Sequence, residues 1–124
     1  MHRLLILDND DHHNQRLQKI FSFGGIYVFG TWSGREALGL LHSSVFHVLL
    51  TSDYLPDIHA GEFLRHVSRL PSGPRVVVMR GSSGNLRKVC RDKSLNIHTI
   101  VDKHRTDLIL AAVSASPRSS SAYA

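Results

Sequence analysis

The chain has 124 residues, 42 % of them apolar and 20 % charged, enough to close one hydrophobic core and too apolar for a disordered chain. No apolar run approaches the roughly 20 residues that span a bilayer, and Met1-His2-Arg3 leads through an apolar run into Asp8-Asn9-Asp10-Asp11, so no targeting or membrane segment is expected. The net charge of +5 is uneven: residues 1–64 hold four Lys/Arg and seven Asp/Glu, residues 65–105 ten Lys/Arg and two Asp, so the second part is either a solvated basic face or a surface for nucleic acid or an acidic partner.

Leu4-Leu5-Ile6-Leu7 is a continuous apolar run, the pattern of a strand covered on both faces. A helix follows from about Asp11, with Leu17, Ile20 and Phe21 on its core side, and Gly24-Gly25 stops it. Ile26-Tyr27-Val28-Phe29 is the second strand. Ser33-Gly34-Arg35-Glu36 has capping-box spacing and opens a helix with Ala37, Leu38, Leu40 and Leu41 on its apolar side. Val48-Leu49-Leu50 is the third strand, running into Thr51-Ser52-Asp53 and a turn at Leu55-Pro56-Asp57.

Phe63, Leu64 and Val67 mark the third helix, which Pro71-Ser72-Gly73-Pro74 ends. Val76-Val77-Val78-Met79 is the fourth strand; the loop Gly81-Ser82-Ser83-Gly84 and a weaker helix around Leu86, Val89 and Cys90 follow it. His98-Thr99-Ile100-Val101 is the fifth strand, and a last helix from near Thr106 presents Leu108, Ile109, Ala112 and Val113. The reading is therefore one domain over residues 1–113, with a Ser/Ala-rich tail or linker stump over 114–124. Cys90 is the only cysteine, which excludes an internal disulfide and fits a reducing cytoplasm.

Alternating strands and helices imply right-handed crossovers and a parallel sheet, and such sheets bind ligands at the carboxyl ends of their strands. Four groups fall there: Asp8 to Asp11, Ser52-Asp53, Arg80 to Ser83, and Asp102-Lys103.

In order and spacing, five stretches together resemble the receiver domain of response regulators over roughly residues 3–113. They are Leu4 to Asp10, Thr31 to Leu38, Leu55-Pro56-Asp57, Glu62-Phe63-Leu64 and Val101-Asp102-Lys103. The resemblance implies a CheY-like, flavodoxin-like (βα)5 fold with strand order 2-1-3-4-5. It also implies a non-enzymatic, cytoplasmic role in two-component phosphorelay signalling. In that family an acidic pair after the first strand binds Mg²⁺ and an aspartate after the third accepts a phosphoryl group. A Thr or Ser after the fourth strand and a Lys after the fifth hold phosphoryl oxygens. Cations are needed because a carboxylate and an anionic phosphoryl group repel each other.

This chain keeps part of that set. Asp8 matches the first acid, Asn9 replaces the second, and Asp10 either helps hold Mg²⁺ or caps the first helix. Lys103 matches the family lysine, with His104 where proline is usual. Counting from Leu55-Pro56-Asp57 puts Ser52 at the phosphoacceptor position, with Asp53 one residue later. Side-chain alternation turns Asp53 away from the pocket, and a bulge or shortened turn brings it back as phosphoacceptor and third possible Mg²⁺ ligand. Ser52 is a poor substitute, because an unactivated hydroxyl needs a base. Arg80 replaces the switch Thr/Ser and Ile100 the usual aromatic, so the usual switch is missing. Arg80 either pairs with Asp8, and with Asp53 if it faces inward, or extends to solvent.

Other motifs lead nowhere specific. His12-His13, His59, His98 and His104 lack the spacing and third ligand of a zinc site and read as polar-face residues. Gly81-x-x-Gly84 is no phosphate-binding loop, and Trp32 and Phe46 are expected to pack. Ser82 and Ser83 either solvate their loop or replace the lost hydroxyl. By resemblance, partners (a sensor kinase, a downstream effector or a second copy) dock on the face carrying Arg87, Lys88, Arg91, Lys93 and Arg105. A conventional regulator phosphorylated on Asp53 is the alternative. Direct nucleic-acid binding is the third reading, and no helix-turn-helix or aromatic platform supports it.

Overall fold

The computed structural model describes residues 2–81 and 95–115. Among these, five strands alternate with four helices: β1 (Arg3–Leu7), α1 (Asp11–Ser22), β2 (Tyr27–Thr31), α2 (Gly34–Ser43), β3 (Val48–Ser52), α3 (Ala60–Ser68), β4 (Arg75–Arg80), β5 (Ile97–Asp102) and α4 (Thr106–Ser114). The helix expected around Leu86, Val89 and Cys90 lies outside the described residues. So do Ser82, Ser83 and Gly84, the basic residues Arg87, Lys88, Arg91 and Lys93, and residues 116–124. Ser114, expected in the tail, ends α4.

All neighbouring strands run parallel, in the order β2-β1-β3-β4-β5. This is the flavodoxin-like, doubly wound order. The period-2 alternation of the strands sends successive residues to opposite faces. Leu5, Leu7, Leu49, Val76 and Val78 pack on one side with Ala37 and Leu41 of α2 and Phe63, Leu64 and Val67 of α3. Leu4, Ile6, Leu50, Val77 and Met79 pack on the other with Leu17 and Phe21 of α1 and Ile109, Ala112 and Val113 of α4. Both faces of the sheet are thus covered, which explains why β1, β3 and β4 read as unbroken apolar runs. Leu108 departs from the expected face of α4: it is 40 % exposed, because Ile109, Ala112 and Val113 already fill the contact with the sheet.

Helix starts are built largely as the sequence suggests. The Asp10 carboxylate caps α1 by accepting the His13 amide, and the Ser33 hydroxyl caps α2 by accepting the Glu36 amide at 3.1 Å. The capping box of α2 is only half formed, because the Glu36 carboxylate accepts the Thr31 hydroxyl instead of the Ser33 amide. Two further amides of this first turn are satisfied from across the chain. Asp57, in the turn after β3, accepts the amides of Gly34 at 2.9 Å and Arg35 at 3.0 Å. That contact ties the β3–α3 loop to the first turn of α2 and places a negative charge at the positive end of its dipole.

Burial alone would raise the Asp57 carboxyl, but the two amides and the Arg35 charge hold it below the usual carboxylate range. Its folded pKa is depressed, so its contribution is present near neutrality and is lost as pH falls below about 4. Replacing Asp57 by Ala should lower stability by about 1 kcal/mol at pH 7. It should also flatten the acid limb of the stability–pH curve, both read from urea midpoints.

Candidate functional site

Asp8 is the first residue after β1 and is fully buried. Its backbone is fixed before its side chain does anything. The Asp8 amide donates to the Thr31 carbonyl at 3.2 Å. The side-chain amide of Asn14, also fully buried, donates to the Asp8 and Thr31 carbonyls at 2.9 Å each. Gln18 in turn donates to the Asn14 oxygen at 2.8 Å. A side chain at Gly30 would collide with Gln18 and Asn14, so a glycine in β2 is what lets this polar pair of α1 lie against the strand ends.

The Asp8 carboxylate is held from three directions. Oδ1 accepts the Asp10 amide at 3.0 Å and the Lys103 ammonium at 3.2 Å. Oδ2 meets Nδ1 of His13 at 2.6 Å. The other ring nitrogen of His13, Nε2, lies 3.2 Å from the Lys103 carbonyl. Both ring nitrogens therefore face oxygen atoms of the chain. Burial pushes the Asp8 carboxyl up, but the His13 bond, the Asp10 amide and the Lys103 charge outweigh it and hold it below the usual carboxylate range.

Asp53 follows Ser52, the last residue of β3, and its amide still donates to the Met79 carbonyl at 3.1 Å. Its side chain is buried and Oδ2 accepts the Gly81 amide at 3.1 Å. A Cβ on Gly81 would stand 3.2 Å from Oδ1, so glycine there gives the carboxylate room. Asp53 and Ser52 both line a cleft of about 320 Å³ with Asn9, Asp10, Tyr54, Gly81, Lys103 and His104. Of the two orientations open for Asp53, the inward one is adopted. The Ser52 hydroxyl accepts the Tyr54 amide at 3.3 Å.

Arg80 ends β4 with its side chain exposed, and the partners of Asp8 are His13, Lys103 and the Asp10 amide. The pairing of Arg80 with Asp8 is not formed; what Arg80 gives the site is its carbonyl, which accepts the Lys103 amide at 3.0 Å. Ile100 packs against the α2–α3 side of the core. The amide of His104 donates to Asp102 at 2.8 Å, a bond that a proline at that position could not make.

His13 was read from sequence as a polar-face residue, and it is the residue closest to Asp8. The available signal was the Asp10 cap: it starts α1 so that position 13 falls in the first turn, over the end of β1. Trp32 is partly exposed, with its indole donating to Asp11 at 3.0 Å, whereas Phe46 is buried as expected.

A magnesium ion asks for a near-octahedral set of oxygens, usually one or two carboxylates and several waters. Both oxygens of Asp8 are engaged by the chain's own donors, Asn9 is neutral and exposed, and the Asp10 carboxylate serves as a helix cap. Among the described residues no three His, Cys, Asp or Glu side chains form a candidate metal cluster. Of the three carboxylates expected to hold Mg²⁺, Asp53 lines the cleft with Oδ2 on the Gly81 amide, and one such carboxylate beside an engaged Asp8 is a poor match to the ion.

Asp8 and Lys103 should behave as a coupled pair. Replacing Lys103 by Met should cost about 2 kcal/mol of stability, the usual scale for a hydrogen bond to a charged group. A double variant with Asp8→Asn should lose less than the sum of the single losses, by about 1 kcal/mol in a urea-unfolding cycle.

No protein-family model and no curated protein sequence matches the chain. Solved structures do. A sensor protein from Polaromonas sp. JS666 superposes with a TM-score of 0.80 at 18 % identity, over 90 % of this chain and 92 % of that one. A CheY-like response regulator receiver domain protein from Methanospirillum hungatei JF-1 gives 0.78 at 22 %, over 89 % and 87 %. A Thermotoga maritima response regulator in complex with Mg²⁺ and BeF gives 0.77 at 18 %, over 91 % and 96 %. At these identities the likeness is one of fold, and the fold is that of the CheY-like response regulator receiver domain.

Proposed function

We propose that the chain is a receiver-like signalling domain of a two-component system that acts by binding another protein, a sensor kinase or a downstream effector, and not as an enzyme. In this reading the domain is atypical: it works in the cytoplasm, in one cleft state, without Mg²⁺ or phosphoryl transfer. One observation carries the proposal. The buried carboxylate Asp8 already has one oxygen on the His13 ring and the other on the Lys103 ammonium, the lysine that would otherwise meet a phosphoryl oxygen. Exposed Arg80 and core-packed Ile100 supply neither the hydroxyl nor the aromatic of the usual switch.

A second reading has an observation of its own. Asp53 lines the same cleft as Lys103, with its carboxylate on the Gly81 amide, where a conventional receiver's phosphoacceptor would be expected. For nucleic-acid binding, the basic run from Arg87 to Lys93 lies outside the described residues, and nothing further favours it.

Incubation with a small phosphodonor and Mg²⁺, followed by intact mass spectrometry, separates the two. The proposal expects an unchanged mass. A phosphoryl-sized gain that disappears with Asp53→Asn would instead establish the conventional reading.

A further inference from the structure

We infer that His13 takes the place of a divalent cation in this cleft, so that the domain is blind to Mg²⁺ by construction. The inference rests on the cleft being a receiver's, and concerns how that site is regulated.

The position of His13 follows from the chain. Asp10 caps α1, His13 comes three residues later in the first turn, and its amide is the one the cap holds. The ring then lies between the end of β1 and the turn after β5. It contacts Asp8 on one side at 2.6 Å and the Lys103 carbonyl on the other at 3.2 Å. Oδ2 of Asp8, the oxygen that Lys103 leaves open, is the one it covers. An ion approaching Asp8 must displace this ring from a residue with no exposed surface. It would also meet the Lys103 ammonium at the other oxygen, and Asn9 offers it only a neutral ligand.

Of these obstacles, the missing carboxylate at position 9 and the seated imidazole can be removed separately, with Lys103 left in place. Isothermal titration with MgCl₂ alone, with Trp32 fluorescence as a second readout, is run on the full chain, on Asn9→Asp, and on the double variant Asn9→Asp/His13→Ala. The wild type and Asn9→Asp should give no saturable binding, and the double variant should bind at least about tenfold more tightly than either. If His13→Ala prevents folding, as judged by circular dichroism, His13→Gln replaces it in the double variant, keeping a donor without the ring. Saturable Mg²⁺ binding by the wild type or by Asn9→Asp overturns the inference. So does a folded double variant that still binds no Mg²⁺. These outcomes read metal binding, whereas intact mass reads phosphoryl transfer, so failure of this inference is told apart from failure of the binding-only reading.

Discussion

A carboxylate with no exposed surface has to be compensated, and in this molecule that carboxylate is Asp8. A buried charge left alone costs several kcal/mol, so the neighbourhood is arranged around it. His13 comes from α1, Lys103 from the turn after β5, and the Asp10 amide from the turn that starts α1. These groups are brought together from opposite ends of the chain by a parallel sheet in which β1 lies between β2 and β3. Asn14 and Gln18 then hold the backbone that presents the carboxylate. Sheet order, the cap of α1 and the glycine in β2 all converge on this one side chain.

The consequence for function lies in charge balance. In a responsive receiver the cleft must gain and lose charge. Here the His13 ring and the Lys103 ammonium already occupy both oxygens of Asp8 from within the chain. What is left to the cleft is Asp53, held by a backbone amide beside a glycine that makes room for it.

Much of the fold is legible in the sequence because both faces of the sheet are covered, which turns β1, β3 and β4 into apolar runs with clear ends. Ser33 announces α2 and Pro71 to Pro74 close the segment after α3. Of the four groups expected to meet at the strand ends, Asp10, Ser52, Asp53, Gly81 and Lys103 line one cleft, Asp8 meets Lys103 beside it, and Arg80 is exposed. The finer placements needed geometry. Alternation alone argues that Asp53 faces away if Ser52 faces inward, but β3 ends at Ser52 and the chain turns while the Asp53 amide still pairs with β4. Arg80 looked like a natural partner for Asp8, yet the side chains that meet that carboxylate, His13 and Lys103, come from α1 and from the β5 turn. His13 stood among several histidines with no metal-like spacing, and only the start of α1 brings it to the strand end. Asp57 likewise reads as a turn residue, although it caps a helix that begins 23 residues earlier in the chain.

The most direct measurement is a high-resolution crystal structure grown in the presence of Mg²⁺ and beryllofluoride. The account predicts that the His13–Asp8 contact stays near 2.6 Å and that the cleft takes up neither reagent. An octahedral ion between Asp8 and Asp53, with the His13 ring swung out of the cleft, would contradict it.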